Sequence, residues 1–464
     1  MASSVKPLFL LFLFVSLLSI STGCTTLPNV STVIDETPSA QKPRPIISAR
    51  GELTPRQSKA IIEKLQHSDE PMEILERHTT VVESITESPL TKGNKVTLLA
   101  DGQATYAAMF KALESAKDHI NLESYIIEDD ETGRKFADLL LQKQRQGVQV
   151  HIIYDSLGCM LTPDAFFQRL RDEGIQVVAF NPLNPLEGEK TWGLTHRDHR
   201  KILIVDGKVA IIGGVNISKV YSSTPFKRGK NEKTPIHWRD TDIQIEGPAV
   251  AELQKLFLAT WMMQREAKPA LRDYFPELQE GGSALVRVIA STPGESNRVP
   301  FIVYVSAISF AGKSIHLTNS YFFPDEQIIK ALTDAARRGV DVKIILPGIT
   351  DSMLALHAQR SYYSKLLRAG VQLYEHSDSL LHAKTAVVDS VWATVGSTNM
   401  DYLSLLNNDE VNAIILSKEF AGEMEKMFTG DLANSKQIHW EEWKKRPLLP
   451  RTREWLVSLF VRWL

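Results

Sequence analysis

Two segments of the chain carry the same reactive side chains at the same spacing: His199, Lys201 and Asp206 in "HRKILIVD", and His382, Lys384 and Asp389 in "HAKTAVVD". Gly213 and Asn216 recur as Gly396 and Asn399, and all five pairs are separated by 183 residues. One His-x-Lys-x4-Asp would arise by chance in roughly one of every twenty or thirty chains of this length, whereas two copies with a shared Gly and Asn are not coincidence. Side chains alternate along a strand, so His199 and Lys201 face one side and Asp206 the other. The Asp is therefore expected to build the turn or a structural ion pair. A two-residue turn would set His199 opposite Gly214 and His382 opposite Ser397, small residues that leave space for a bulky group. Asn216 and Asn399 then fall just past the strand ends. An imidazole, an ammonium and an amide converging on one volume suit a phosphate: a nucleophile, a charge and a neutral donor. One copy is half a site. With the two facing each other, one His attacks phosphorus, the other protonates the leaving alcohol, and the roles exchange in a second step. Such a pair requires one neutral and one protonated imidazole near neutral pH.

These motifs need a scaffold that occurs twice, and the flanking sequence supplies it. From Val96 the pattern reads as a helix over about 104–117, a strand "HINLESYII", a helix over about 133–146 and a strand "VQVHIIYD". Strands alternating with helical spacing imply βαβ units and a largely parallel sheet. "GVQVHIIYD" at Gly147 returns as "GVDVKIILP" at Gly339, and "GIQVVAF" at Gly174 as "GVQLYEH" at Gly370. The offset is constant inside the motif and drifts outside it, as in duplicated domains with loop insertions.

The 464 residues suffice for two or three domains, and the formal charge of −2 with 43% hydrophobic content describes a globular chain. That near-neutral charge argues against a nucleic-acid partner. Lys6, an apolar run over about 8–20 and small residues before Cys24 have the build of a secretory signal. Ser21-Thr22-Gly23-Cys24 resembles a bacterial lipobox, with Ser21 where Leu is common, and the resemblance implies lipidation at Cys24. Thr25 beside that cysteine gives no inner-membrane retention signal of the kind an Asp would, so an outer-membrane anchor facing the periplasm is expected. The only other cysteine, Cys159, is read as a buried apolar residue. The divisions expected are a signal (1–23), a linker (24–54), a helical segment (55–92), two similar domains (93–275 and 283–430) and an amphipathic tail (431–464).

Two HxKx4D motifs, each followed by Gly-Gly/Ser-x-Asn, resemble the phospholipase D superfamily, from about Val96 to Phe428. "YFFPDE", "GVDVKIILPG", "LLHAKT", "GSTNMDYLS" and "WRDTDIQIEGPAV" are most similar to bacterial cardiolipin synthases. The resemblance implies an α/β fold of duplicated domains, each a mixed sheet flanked by helices, with the site at the pseudo-twofold interface. It further implies phosphatidyl transfer between two phosphatidylglycerol molecules through a phosphohistidine, without cofactor or metal, by a chain active as a monomer. In the superfamily an acidic residue further on holds the catalytic His. Glu410 takes that position in the second copy and Asp240 in the first. The first copy is 13 residues longer between His and acid, and the extra segment holds Lys227, Arg228, Lys230 and Lys233. These are expected either to engage anionic lipid at the membrane surface or to form a solvated loop. Leu403 replaces the Arg that usually follows the second Asn. A hydrolase releasing phosphatidic acid, a nuclease and a silent lipid-binding lipoprotein remain as rivals.

Other residues carry plainer expectations. His196 has Ser379 as its counterpart and no completing ligand set, so a loop or supporting role is expected in place of a metal. Arg200, matched by Ala383, is expected at the surface or in a structural role. Trp238 and Tyr321 belong either to a lipid cleft or to the core. In the tail, Trp455, Leu459 and Trp463 share a helical face near Arg453 and Arg462, fitting a helix on a membrane or one packed on the domain.

Overall fold

A computed structural model describes residues 27–38, 44–66, 72–184, 193, 195–222, 237–264, 269, 271–293 and 298–463. The expected signal, Cys24 and the basic loop holding Lys227, Arg228, Lys230 and Lys233 lie outside the described residues. Among the described residues no helix is long and apolar enough to cross a membrane.

The repeat seen in the sequence is a repeat of strands. The first half contains β1 (Thr91–Leu99), β2 (His119–Ser124), β3 (Gln149–Asp155), β4 (Gln176–Phe180), β5 (Lys201–Val205), β6 (Val209–Gly213) and β7 (Asp242–Glu246). The second contains β8 (Ala284–Ser291), β9 (Ser314–Thr318), β10 (Asp341–Pro347), β11 (Gln372–His376), β12 (Thr385–Val388), β13 (Trp392–Gly396) and β14 (Asn408–Leu416). In each half three parallel strands, β2-β3-β4 or β9-β10-β11, adjoin an antiparallel set opened by the motif hairpin, β5-β6 or β12-β13. β1 and β8 pair with each other antiparallel, joining the halves.

The apolar runs explain the layering. β5 is buried at every position, as expected for a strand covered on both faces. On one side Leu203 and Val205 meet Leu113 and Phe136 of the flanking helices. On the other, Ile202 and Ile204 join Ile212, Ile243, Val395, Ala413 and Ile415 in a core shared by the two halves.

Two expectations need correction. The stretch read as a linker is in part folded: Val30–Glu36 is a helix, Val30 is buried, and Val30 N–H donates to Gln327 Oε1 at 2.8 Å. Its single helical turn pair is too short to show periodicity in the sequence. The motif hairpins also differ from a plain two-residue turn. Asp206 and Gly207 both take positive φ, and Lys208 is an extra residue, so Val205 pairs with Val209. Val388 pairs with Trp392 in the same manner. This bulge shifts the register by one, so neither His199 opposite Gly214 nor His382 opposite Ser397 holds.

Candidate active site

Each catalytic histidine sits just before its strand, where a short parallel ladder stitches the halves together. Arg197–Asp198 pairs with Asn408–Asp409, and His199 N–H donates to Asp409 O at 2.9 Å. Trp238–Arg239 pairs with Leu380–Leu381, and His382 N–H donates to Arg239 O at 2.7 Å. The ladders cross the interface, and so do the carboxylates. His199 Nδ1 lies 3.1 Å from both oxygens of Glu410, and His382 Nδ1 lies 2.7 Å from Asp240 Oδ2. The acid in each copy thus holds the histidine of the other. With Nδ1 engaged, Nε2 of each ring is the nitrogen left for chemistry.

The glycines of the motif serve this arrangement. A Cβ on Gly214 would lie 2.2 Å from Asp240 Oδ1, and one on Gly213 would lie 2.0 Å from Asp242 Oδ1. The space beside Gly214 belongs to the Asp240 carboxylate, not to substrate. Ser397, its counterpart, donates to Glu410 Oε2 at 2.5 Å. Where one half clears room for its acid, the other adds a donor to it.

Lys201 and Lys384 are buried, and each ammonium donates to the carbonyl of its own motif histidine. Lys384 Nζ also lies 2.9 Å from His382 Nδ1. Burial, with Lys384 nearby, brings Lys201 down to about 7, and burial brings Lys384 to about 8. Burial lowers both imidazoles as well, His382 to about 4, with the lysines adding to the effect. Burial would raise Glu410, but His199, Lys201 and the Ser397 hydroxyl outweigh it and hold the carboxyl below its usual range. Near neutral pH these groups therefore hold fewer protons than they would in water. A phosphate would restore protons to these groups by the same electrostatics.

Asn399 Oδ1 accepts from Ser320 Oγ at 2.7 Å, leaving its amide NH2 as the donor end. Asn216 is tied more tightly, accepting from Ile126 N–H and donating to the Tyr221 hydroxyl. Asp206 and Asp389 are remote from this chemistry. Asp206 accepts from the backbone N–H groups of Lys117, Asp118 and His119, and Asp389 from those of Gly312, Lys313 and Ser314. They clamp the loops entering β2 and β9, a scaffolding part made through backbone donors. Asp401 is buried and caps the helix Tyr402–Leu406 through Ser404 N–H, while Leu403 is partly exposed.

Sequence reasoning passed over Tyr125, which stands edge-on to His199 at 5.0 Å between ring centroids, and its ring lies 5.2 Å from Lys201 Nζ. Trp238 and Tyr321 flank His382 at 4.9 and 6.2 Å, so both border the site. Arg200 is fully buried and not at the surface: it donates to Glu410 O, Thr260 Oγ1 and Ser291 O. Its guanidinium also lies 3.7 Å from both Glu123 and Asp409. His196 Nε2 is 3.0 Å from Asp409 Oδ1. Cys159 is buried, and burial pushes its thiol up to about 12. A surface cleft of about 560 Å3 lined by Thr86, Glu252, Lys255 and Val288 holds none of these residues.

The geometry has counterparts among known proteins. Residues 109–259 and 304–432 match the family model described as "Cardiolipin synthase, PLD-like domain". The chain is 35% identical over 373 residues to the cardiolipin synthase of Geobacillus kaustophilus, covering 80% of this chain and 72% of that one. It is 32% identical over 392 residues to cardiolipin synthase 1 of Bacillus cereus, covering 82% and 75%. Among solved structures, a phosphatidylserine synthase from Haemophilus influenzae superposes with a TM-score of 0.61 at 15% identity, covering 82% of this chain and 96% of that one, a likeness of fold. With two motif-bearing halves, crossed His–carboxylate pairs and this degree of identity, the chain belongs to the cardiolipin synthase family of the phospholipase D superfamily.

Proposed function

We propose that this phosphatidyltransferase condenses two phosphatidylglycerol molecules into cardiolipin and glycerol. The observation that carries the reading is the pair of buried imidazoles, each held at Nδ1 by a carboxylate of the other half and each accompanied by a lysine. The substrate class follows from relatives named as cardiolipin synthases.

In the first step Nε2 of one histidine attacks phosphorus and the bond to the head-group glycerol breaks. The other imidazolium gives its Nε2 proton to the departing alkoxide, leaving a phosphatidyl-histidine. In the second step the now neutral imidazole takes the proton of a primary hydroxyl on the second phosphatidylglycerol. That oxygen attacks phosphorus, releasing the first histidine and cardiolipin. Lys201 and Lys384 offset charge on the non-bridging oxygens, Asn399 donates to them with Asn216 beside it, and Glu410 and Asp240 stabilise whichever imidazolium forms.

The wider reading adds a lipoprotein anchored through Cys24 in an outer membrane, facing the periplasm, active as a monomer on the membrane surface. The test is lipid mass spectrometry of full-length protein with phosphatidylglycerol vesicles, wild type against His382→Ala. Cardiolipin with equimolar glycerol from wild type alone is expected. Phosphatidic acid in its place would make water the acceptor and overturn the transferase reading.

A further inference from the structure

The helix Leu448–Ser458 is turned inside out. Its buried contacts are made by Glu454 and, in the following turn, Val461. Glu454 is held by Arg446 in two hydrogen bonds of 2.6 and 2.9 Å, and Val461 and Val457 pack against Phe323, Tyr321 and Tyr402. The face turned outward is apolar: Trp455 is 61% exposed, Leu456 52%, Leu459 54% and Phe460 58%. Scattered single apolar residues on a surface are ordinary, but a contiguous helical face of large ones marks an interaction site.

The helix bearing the patch packs on elements that border the active site. The helix packs on the helix Met353–Ser361, whose first residues, Met353 and Leu354, are themselves exposed. Just before them Asp351 accepts from the Tyr321 hydroxyl, which lies 2.9 Å from both its carboxylate oxygens, and Tyr321 stands edge-on to His382. In the other half the corresponding loop after β3 raises Met160 and Leu161, 55% and 90% exposed, while its Gly158 packs on the backbone of Tyr125 beside His199. Exposed apolar side chains thus flank, in each half, a loop that touches the tyrosine neighbouring its histidine.

The charge around the patch is predominantly positive. From residue 441 to 463 the chain carries six cations and three acids; Glu454 is buried and neutralised by Arg446, and Glu441 pairs with Lys444 at 2.6 Å. The exposed charges left over are Lys445, Arg451, Arg453 and Arg462 against Glu442. A second copy of this face would meet it with like charge. An anionic bilayer would not: cations at the head-group level with Trp, Leu and Phe in the acyl boundary is the composition of an interfacial helix.

We infer that the helix Leu448–Ser458 with its closing turn, together with the loops bearing Met160–Leu161 and Met353–Leu354, docks the active-site mouth onto an anionic lipid bilayer. This rests on the reading of phosphatidylglycerol as substrate, and it places that lipid's phosphate near the histidines while its acyl chains stay in the membrane. An anchor at Cys24 could tether the protein but could not orient it; the docking face fixes the orientation.

The test uses full-length protein mixed with phosphatidylglycerol/phosphatidylcholine vesicles in which the acyl chains are brominated. An environment-sensitive fluorophore is placed at Leu456→Cys and, as a control, at Lys59→Cys on an exposed helix of the opposite composition, with unsubstituted protein giving the background. At least threefold stronger quenching at 456 than at 59 is expected, falling when Arg451, Arg453 and Arg462 are changed to Gln or when phosphatidylcholine alone is used. Equal quenching at the two positions would overturn the inference. A second arm compares wild type with Trp455→Ser/Leu459→Ser/Phe460→Ser. Turnover of vesicle phosphatidylglycerol should fall about tenfold, while turnover of monomeric dihexanoyl-phosphatidylglycerol stays within about twofold. Equal losses on both would overturn it, and so would a wild type that is dimeric and a variant that is monomeric without lipid. If wild type makes cardiolipin from neither substrate yet quenching at 456 is strong, the activity reading fails and the docking face stands.

Discussion

His199 Nδ1 lies 3.1 Å from both carboxylate oxygens of Glu410, a residue contributed by the other half of the chain. A symmetric carboxylate cradle fixes the ring's orientation and its tautomer together. Glu410→Gln keeps the shape but replaces one acceptor oxygen by an amide donor and removes the charge that steadies an imidazolium. The kcat for glycerol release is expected to drop on the order of 10^3-fold or more with little change in KM, by analogy with the loss seen when a catalytic histidine's carboxylate is neutralised. A loss under tenfold would mean that the Glu410 charge does not serve the chemical step.

The alkaline side of the pH profile should belong to the lysines. Lys201 titrates at about 7 and Lys384 at about 8 in the free enzyme, because burial penalises their charged forms. As pH rises through that range the site loses the charge that captures an anionic phosphate, so kcat/KM should fall above about 7. On the acid side it should fall only where the second of His199 and His382, both lowered, takes up a proton, because the reaction needs one imidazole protonated and the other neutral. The effect on stability has the opposite sign. The unfolded lysine binds more protons between about 7 and its usual 10.5, so the contribution of Lys201 to stability rises with pH across that window. Lys201→Arg, if it folds, should move the alkaline limb of kcat/KM upward. An unmoved limb in both Lys201→Arg and Lys384→Arg would assign it to another group.

The motif aspartates should register in stability and not in the reaction. Asp389 accepts three backbone N–H groups at 2.7 to 3.0 Å at the entrance to β9. Asp389→Ala leaves those donors to solvent or to nothing, which costs on the order of 2–4 kcal/mol. Urea unfolding should show that loss, while kcat per folded molecule stays within about threefold. A large fall in kcat with unchanged stability would return Asp389 to the catalytic set.

The doubled motif made the two-domain α/β fold and the convergence of His199 with His382 legible in the sequence, because duplicated spacing survives where local signals are weak. Strand parity placed Asp206 away from the reaction. What could not be read was anything set by the junction between the halves. The exchange of Glu410 and Asp240 depends on two parallel ladders of two residues each, too short to leave a pattern. Gly214 read as open space because the sequence does not say which side chain fills it. Arg200 followed the parity rule, yet facing away from the site meant facing the buried interface, a distinction that alternation alone does not carry.

That buried arginine makes the halves unequal and yields the sharpest test of the scaffold. Arg200 stands among Glu123, Asp198 and Asp409, whereas at the equivalent positions the other half has Leu381 for Asp198 and Ala383 for Arg200. Burial pushes Glu123 up to about 7 and Asp198 well above its usual range, even with the guanidinium present. Arg200→Met would remove a cation that faces all three and a donor to Glu410 O. Breaking a buried charge group in this manner costs about 3–5 kcal/mol at neutral pH. Without Arg200 the Glu123 and Asp198 carboxyls should be raised further above their unfolded values, so the folded state binds more protons and stability rises as pH falls. The deficit of the variant relative to wild type in urea unfolding should therefore be smaller at pH 5 than at pH 7. A deficit that is equal at both would show that Arg200 acts through packing, with its charge already balanced elsewhere.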